Sequence, residues 1–395
     1  MAAQRGKLSQ QGRRYSLGCP LALEAESVKI KSIRLFQHDL PIVGGPYIMS
    51  SGPIHALDTA LVQIEAENGI IGWGETCPLG TTYAPSHAKG ARAALAVLAP
   101  GLLGVDLTRP RAFHHRMDSL LEGHAYAKAA LDIALFDALG KFFVRPVADL
   151  LGGQLTARVP SYYALNVGPA DEVSRLAKDR VQAGFGRLQL KVGGRDVRED
   201  IEVARSVHAA VGEKAHIVLD ANRSLSREQA LFLSNGLRDI PLVIEQPCAT
   251  SEECIQVRPS LNHPMYIDET ADNLAGITQM VGNGLVDGFG LKVTRLGGLQ
   301  PMMAVRDVCE AANLPHTCDD FWGGNIITAA CIHLAATVQP KRLAGVWSAQ
   351  SYIDHHYDPV HGPRVEQGMF SVPDRPGLGL DIDPAQFGEP ILELS

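Results

Sequence analysis

The chain has 395 residues, of which 46% are hydrophobic and 20% are charged, and its formal net charge is −7. A globular chain of this length can bury one large core or two moderate ones. Acidic and basic residues are interspersed without long runs of one sign, which argues against binding to nucleic acid or to an anionic membrane surface. No segment is apolar over the length that a bilayer requires.

Cysteine usage and the N-terminus bear on where the protein resides. The seven cysteines are scattered and lack CxxC spacing, which predicts reduced thiols in the cytoplasm rather than a disulfide framework or a zinc site. The RRYSLG within residues 1–27 is only weakly similar to a twin-arginine export signal, because its apolar patch is short and contains Gly18 and Pro20. Regular patterning begins at Val28, so we expect residues 1–27 to be a disordered leader or the product of a mis-assigned start codon. The intact mass of the native protein tests this expectation. A chain that begins with Met in place of Val28 would indicate a mis-assigned start codon rather than export, and a chain that keeps residues 1–27 would contradict it.

Residues 28–155 are predicted to form an α+β domain. The segment LVQIEAENGIIGWGE (61–75) is typical of a β-hairpin with Asn68 and Gly69 at the turn. The segment KAALDIALFDALGKFF (128–143) has helical spacing, with one apolar stripe formed by Leu131, Ala134, Leu135, Ala138 and Leu139.

From residue 156 to residue 350 short apolar strands recur, and most of them end in a polar or charged residue. They are VPSYYAL, RLQLK, HIVLD, PLVIE, PMYID, GFGLK, PHTCDD and LAGVW. The strand-end residues Lys191, Asp220, Glu245, Asp268 and Lys292 are 29, 25, 23 and 24 positions apart. One strand, one helix and two loops need about this length, so the pattern predicts an α/β fold, a (β/α)7β TIM-like barrel. Residues 351–395 follow it as a C-terminal segment.

Three acids end consecutive predicted strands: Asp220, Glu245 and Asp268. Alone, each is more often a turn former or a helix cap than a functional residue. In a barrel, however, the carboxyl ends of the strands converge on one mouth, where three carboxylates would repel one another unless they held a cation. Oxygen ligands on a rigid frame suit Mg²⁺, with Mn²⁺ as a substitute.

Two lysines, Lys191 and Lys292, flank the three acids in strand order. A solvent-facing lysine is the usual role of either one in isolation. Near a divalent cation and a second lysine, the charged form of each amine is disfavoured, and the amine becomes a plausible base near neutral pH. We therefore expect these lysines to form a two-base pair that moves protons.

On these residues, together with NGIIGWGE, AALDIALFDALGK and the closing PGLGLDID, residues 28–395 resemble the enolase superfamily, in its muconate-lactonising-enzyme-like branch. The resemblance makes residues 28–155 a capping domain, to which the C-terminal segment returns. It implies Asp220, Glu245 and Asp268 as ligands of Mg²⁺, which stabilises an enediolate, and Lys191 and Lys292 as the acid/base groups. The family often has a lysine where this chain has Gln189, so that neighbour cannot lower the pKa of Lys191. The resemblance also implies a homo-oligomer.

Four further segments are most similar to proline betaine and 4-hydroxyproline betaine 2-epimerases: HDLPIVGGPYIMSSG, ETCPLGTTYAPSHA, PHTCDDFWGGN and GVWSAQ. A quaternary ammonium has no N–H to donate, and it is best held by an aromatic face. Trp347 at the last strand end is a candidate for that face, and Tyr83 is a candidate to close over it. Each could equally be a packing residue. Asp319 and Asp320 could add negative charge beside a cationic substrate or could cap the helix that begins near Gly324.

The sequence leaves three functions open for a small carboxylate substrate, either a betaine or a cyclic amino acid. An epimerase would use both lysines as bases. A cis-3-hydroxy-L-proline dehydratase, which resembles the epimerases, would use the same first proton removal and then an acid that expels the 3-hydroxyl group. A betaine-binding protein without turnover would not need both lysines.

Overall fold

The structure is a computed structural model that describes residues 27–49, 52–353 and 355–395. The predictions for residues 1–26, a leader or an export signal, lie outside the described residues. The strands in chain order are β1 (Ile30–Pro41), β2 (Tyr47–Met49), β3 (Gly52–Ile54), β4 (Ala56–Ala66), β5 (Ile71–Thr76), β6 (Arg158–Pro160), β7 (Tyr163–Leu165), β8 (Arg187–Lys191), β9 (His216–Asp220), β10 (Leu242–Glu245), β11 (Met265–Ile267), β12 (Gly288–Phe289), β13 (His316–Thr317), β14 (Leu343–Gly345), β15 (Val365–Glu366), β16 (Met369–Ser371) and β17 (Leu392–Leu394).

Of the helices that the structure describes, four precede the barrel, and the last of them is a single turn. The remaining helices alternate with the barrel strands. In chain order the helices are α1 (Ala88–Leu98), α2 (Pro110–Leu120), α3 (Ala125–Phe142), α4 (Val147–Leu150), α5 (Ala170–Gln182), α6 (Val197–Val211), α7 (Arg227–Gly236), α8 (Ser251–Val257), α9 (Leu274–Gly282), α10 (Val293–Leu296), α11 (Leu299–Ala311) and α12 (Asn325–Ala335). Within the described ranges, no helix is both long and apolar enough to cross a membrane.

An antiparallel sheet in the order β17-β1-β4-β5 forms the first layer of the molecule. Strands β4 and β5 form the predicted hairpin, and Gly69 in its turn has the positive φ of 81° that favours glycine. Helix α3 lies directly on β5, because Gly74 has no side chain. A Cβ atom at this position would clash with the carbonyl oxygen of Ala130.

Helix α3 is buried on all sides, not along one stripe as the sequence predicts. The burial includes two acids, Asp132 and Asp137, which both have no more than 2% exposed surface. Asp137 accepts hydrogen bonds from the backbone amides of Trp73 and Leu378, both at 2.8 Å, so it joins β5 and the C-terminal segment to the helix. The helix is enclosed between the antiparallel sheet and the barrel, and two-sided burial of this kind leaves no periodic signal in the sequence.

The second layer is the predicted barrel, and the eight predicted strands are all present as parallel strands. Their order is β7-β8-β9-β10-β11-β12-β13-β14, and a bridge between Ser161 and Val346 joins the two ends of the sheet. Register pairs such as Lys191 with Asp220 and Asp220 with Glu245 place successive strand ends at one level. The carboxyl ends of the strands therefore converge on one mouth, which the antiparallel layer covers.

The C-terminal segment contacts both layers. Strand β16 pairs with β6 beside the amino end of the barrel, and β17 pairs with β1 in the antiparallel sheet. The limits 28–155 for the capping domain, 156–350 for the barrel and 351–395 for the C-terminal segment stay predictions.

Candidate active site

Three carboxylates meet at the carboxyl ends of neighbouring strands. Asp220 ends β9, Glu245 ends β10 and Asp268 directly follows β11. Each of the three offers a carboxylate oxygen, and these oxygens all lie within 4.8 Å of one another. All three side chains are buried, with at most 1% exposed surface. Asp220 and Glu245 are register partners at the ends of their strands, and Asp268 lies two residues after Tyr266, the register partner of Glu245 on β11. Side chains two residues apart lie on the same face of a strand, so parallel pairing brings the three acids together.

The electrostatics of this cluster favour a cation. Burial, with the charges of Asp220 and Asp268, raises the pKa of Glu245 to about 8. Burial also disfavours the charged form of Asp268, but Arg295 and Lys292 outweigh it and hold the pKa of that carboxyl well below its ordinary value. The pKa values of Glu245 and Asp268 therefore differ strongly although the two carboxyl groups are close together. Because neighbouring carboxylates repel one another, all three acids ionise together only beside positive charge. The donor set of three carboxylates fits Mg²⁺.

The two lysines reach the cluster from opposite sides in strand order. Lys191 Nζ lies 2.5 Å from Asp220 Oδ2, and Lys292 Nζ lies 2.9 Å from both oxygens of Asp268. Burial disfavours each ammonium, but Asp220 outweighs it at Lys191 and Asp268 outweighs it at Lys292, so both pKa values are raised. This direction is opposite to the one expected from the sequence, because that expectation assumed a bound cation. The lowered pKa stays a prediction for the metal-bound protein.

Gln189 faces the same cluster from β8. Its Nε2 donates a hydrogen bond to Glu245 Oε2 at 3.1 Å. Arg187, two residues earlier on the same face of the strand, places Nη2 3.5 Å from the same oxygen. Gln189 therefore gives Lys191 an uncharged neighbour on β8, and its hydrogen bond orients the carboxylate of Glu245.

A narrow cleft with about 40 Å³ of enclosed space lies beside the carboxylates and lysines. Tyr83 lies in its wall, 8% exposed, and donates a hydrogen bond from its hydroxyl group to Asp268 Oδ2 at 3.3 Å. The aromatic side chains that line the cleft are Tyr47, Tyr83, Tyr162, Phe321, Trp322 and Trp347.

Trp347 is held in the cleft wall by its backbone and by its neighbours. Its amide donates to Asp319 Oδ1 at 2.7 Å, and its ring meets the ring of Trp322 edge-on with centroids 5.0 Å apart. Asp319 also accepts a hydrogen bond from the Tyr162 hydroxyl at 2.7 Å. Asp319 is absent from the residues that line the cleft, and both of its carboxylate oxygens have these donors.

Neither Asp319 nor Asp320 caps the helix that begins near Gly324, which is one of the two roles that the sequence leaves open for them. Asp320 lines the cleft, and it accepts hydrogen bonds from the amide and the hydroxyl of Thr294, in the short helix α10 that follows Lys292. Helix α12 is capped instead by Glu75 of the antiparallel sheet, which accepts from the Gly324 amide at 2.7 Å and the Ile327 amide at 3.1 Å. Sequence reasoning could not find this cap, because its two halves are about 250 residues apart.

Sequence reasoning also missed Arg295, which is buried and contacts Asp268 Oδ1 at 2.7 Å. Its signal is its position three residues after Lys292, within the short helix that begins there. Tyr47 and Trp322 also line the cleft, and the sequence does not predict this. A single aromatic residue outside a strand end gives no sign of which cavity it faces.

Comparison with known proteins identifies the group to which this chain belongs. Residues 31–152 match the N-terminal domain of mandelate racemase and muconate lactonizing enzyme, and residues 172–386 match the enolase C-terminal domain-like family. The chain is therefore an enzyme of the enolase superfamily, in its mandelate racemase and muconate lactonizing group.

Relatives within this group differ in their reactions. The chain is 34% identical over 370 residues to a cis-3-hydroxy-L-proline dehydratase of Roseibium aggregatum, which covers 93% of this chain and 100% of the relative. It is 26% identical over 365 residues to an N-succinyl-L-Arg/Lys racemase of Bacillus cereus, covering 90% of this chain and 96% of the relative. A crystal structure of an enolase superfamily member from Roseovarius nubinhibens complexed with magnesium matches 93% of this chain and 100% of its own, with a TM-score of 0.89 and 30% identity.

Proposed function

We propose that this enzyme is a Mg²⁺-dependent 2-epimerase of proline betaine or 4-hydroxyproline betaine. The observation that carries the proposal is the arrangement of Lys191 and Lys292, which contact two different members of one carboxylate cluster at the edge of an aromatic cleft. A two-base epimerase needs a base and an acid on opposite faces of one carbon atom, and this is what a pair of flanking lysines can supply.

Asp220, Glu245 and Asp268 would hold the metal ion. Bound there, Mg²⁺ would neutralise the carboxylates that raise the lysine pKa values and the charge that develops on the substrate carboxylate. Gln189 and Arg295 would keep Glu245 and Asp268 in position through the hydrogen bonds described above. The crystal structure of the Roseovarius nubinhibens relative with magnesium supports this assignment.

The lysines would then move one proton each. A neutral lysine takes the α-proton of the substrate, breaking the C–H bond and becoming an ammonium. The other lysine, as an ammonium, gives a proton to the opposite face of the same carbon and forms a new C–H bond. Exchange with solvent restores both lysines, so the reaction needs no oxidant and no second substrate.

The aromatic wall supports a betaine over other carboxylates. Trp347, Trp322 and Tyr47 line the cleft together, and a quaternary ammonium on an aromatic face gains about 2 kcal/mol when it is desolvated. Such a group has no N–H to donate, so an aromatic face holds it better than a hydrogen-bond acceptor does. The same wall would hold the ring of a proline derivative by apolar contact.

A second candidate is a cis-3-hydroxy-L-proline dehydratase, which the 34% identity to the Roseibium aggregatum dehydratase favours. One lysine would remove the α-proton, and the other would protonate the departing 3-hydroxyl group as water. The same residues serve both reactions, so only the substrate separates them. For either reaction we propose a cytoplasmic homo-oligomer, and the six free, buried cysteines among the described residues agree with a reducing compartment.

Proton NMR of the purified protein with Mg²⁺ in D₂O tests the proposal. L-proline betaine, trans-4-hydroxy-L-proline betaine and cis-3-hydroxy-L-proline are supplied separately. Loss of the α-proton signal together with growth of the opposite epimer from either betaine is the expected result. Conversion of cis-3-hydroxyproline to a dehydrated product, with both betaines untouched, would establish the dehydratase and make Trp347 a packing residue.

A further inference from the structure

A second cleft, of about 390 Å³, opens at the amino end of the barrel. It lies on the opposite face from the carboxylates and lysines, where the barrel strands begin and where β16 and β6 pass. In barrels of this kind the amino end usually contributes to stability rather than to chemistry. Nothing in the proposed reaction uses this cleft.

The lining of this cleft is basic. Arg187, His216, Lys341 and Arg342 line it, and among the described residues no aspartate or glutamate does. In the part of the chain that the structure describes, neither Lys341 nor Arg342 forms an ion pair with a carboxylate. Lys341 and Arg342 therefore contribute positive charge that no carboxylate among the described residues neutralises, and this charge attracts anions.

Two guanidinium groups in this cleft have N–H donors without acceptors. The Nε atoms of Arg187 and Arg342 are buried and have no hydrogen-bond partner within residues 27–49, 52–353 and 355–395. Arg187 is 8% exposed, donates from Nη1 to the Ala344 carbonyl at 3.0 Å and lies 4.3 Å from the centre of the Tyr162 ring. Buried donors are rarely left unsatisfied, because a buried N–H without an acceptor has lost its hydrogen bond to water and gained none in return. An anion in the cleft would supply the missing acceptors.

The rest of the lining is apolar or aromatic. Val218, Val243, Leu343 and Met369 contribute aliphatic surface, and Tyr266 contributes a ring. Phosphate or sulfate would leave this surface uncovered. A carboxylate on a compact apolar body would satisfy the arginine donors and cover the aliphatic wall at the same time.

Arg187 is also the connection between the two ends of the barrel. It lines the second cleft, and its Nη2 lies 3.5 Å from Oε2 of Glu245 in the carboxylate cluster. An anion that pairs with Arg187 would weaken the attraction between the guanidinium and Glu245. The negative charge of Glu245 would then be more available to a cation at the opposite mouth.

We propose that the cleft at the amino end of the barrel binds a small organic carboxylate, and that Arg187 transmits its occupancy to Glu245. The site is an effector site for the enzyme rather than a second catalytic centre. Since coupling between two binding sites is reciprocal, a bound cation would tighten carboxylate binding to the same extent.

Calorimetry with benzoate and its uncharged analogue benzamide tests the site, using the Mg²⁺-loaded protein at low salt. Gly186 lines the cleft, and a Cβ atom there would meet no atom within 4 Å, so the variant G186F should fold normally and fill the space. We expect benzoate to bind the wild type, benzamide to bind far more weakly and G186F to abolish binding. The double variant K341M/R342M should weaken benzoate binding at least about tenfold, while exposed K178M should not change it.

Two results would overturn the site. One is equal binding of benzamide and benzoate. The other is benzoate binding that persists in G186F but is lost in K191M, which would place the anion in the cleft at the carboxyl end.

The connection to Glu245 has a separate readout. Titration of metal-free protein with Mg²⁺ should give a tighter dissociation constant at saturating benzoate than without it, and G186F should show no difference between the two conditions. Benzoate binding that leaves the Mg²⁺ affinity of the wild type unchanged would refute the role of Arg187.

Discussion

Asp319 accepts a hydrogen bond from the backbone amide of Trp347 at 2.7 Å, and this contact joins the ends of the last two barrel strands. The same carboxylate holds the hydroxyl group of Tyr162 at 2.7 Å. Two walls of the catalytic cleft therefore depend on one buried acid. The side chain of Trp347 is left to line the cleft, where we propose that it contributes to the choice of substrate.

Replacement of Trp347 by leucine should raise the KM for proline betaine about thirtyfold, because a desolvated cation–π contact contributes about 2 kcal/mol. The variant W347F should recover part of this loss, since phenylalanine keeps an aromatic face. Steady-state epimerisation assays measure the effect, with W73F as the control at a tryptophan outside the cleft. An unchanged KM in W347L would assign Trp347 to packing.

The single variants K191A and K292A should each lose epimerisation by a factor of about 10³ or more, since one proton transfer has no catalyst. Each should still exchange the α-proton of one enantiomer with D₂O, and the two variants should prefer opposite enantiomers. Proton NMR with both enantiomers of the betaine measures this. K178A at an exposed helix position is the control, and exchange of the same enantiomer by both variants would contradict a two-base mechanism.

Replacement of Glu245 by glutamine should have opposite effects on stability with and without metal. The raised pKa of Glu245 means that its ionisation opposes folding, so this contribution is favourable below the unfolded pKa and is lost as the pH rises through about 8. Metal-free E245Q should therefore be more stable than metal-free wild type above pH 8. It should also gain much less from added Mg²⁺, because a ligand is missing.

Thermal unfolding with EDTA and with Mg²⁺ measures both effects of E245Q. E253Q, which changes an acid outside the cluster, is the matched control. A destabilised E245Q in EDTA at pH 9 would show that the carboxylates do not repel one another as described.

The buried carboxylate of Glu75 should contribute strongly to stability, because its hydrogen bonds connect the antiparallel layer with the barrel. It accepts hydrogen bonds from the amides of Gly324 and Ile327, from the Tyr357 hydroxyl and from the Thr59 hydroxyl. The variant E75A leaves these donors buried without an acceptor and should lower the free energy of unfolding by at least about 3 kcal/mol. Urea denaturation measures it, E67A in the exposed turn is the control, and a loss below about 1 kcal/mol would contradict the assignment.

Acid should destabilise the protein through His333. Burial lowers the pKa of this fully buried imidazole to about 4, so the unfolded chain binds a proton that the folded chain does not between pH 6.5 and pH 4. Stability from this residue is present above the unfolded pKa and is lost as the pH falls, by about 2 kcal/mol between pH 7 and pH 5. The variant H333L should remove this part of the pH dependence, while H115L at an exposed position should keep it. Equal slopes in H333L and wild type would contradict the buried neutral state.

The sequence predicts the barrel well because the rule that builds it is local. Most of the strands are short apolar runs that end in a polar or charged residue, and the spacing between these ends repeats. The convergence of Asp220, Glu245 and Asp268 can therefore be predicted from the spacing alone. The same repeat places Lys191 and Lys292 on either side of the acids.

Other features follow from contacts that no local pattern contains. The cap that Glu75 provides for α12 depends on how two layers meet, and the complete burial of α3 depends on what covers its second face. The pKa direction of the two lysines depends on which charges are present in the cluster, a bound cation included, and not on the order of residues.

The pairing of β17 with β1 has a consequence for synthesis of the protein. Arg34 and Glu393, which form an ion pair across these two strands, are 359 positions apart, so the edge of the antiparallel sheet cannot close until Glu393 has left the ribosome. During translation β1 presents an unpaired edge, which is a template for aggregation. We therefore expect truncation of the last few residues to reduce the yield of soluble protein more than its thermodynamic stability, since the loss acts on the nascent chain.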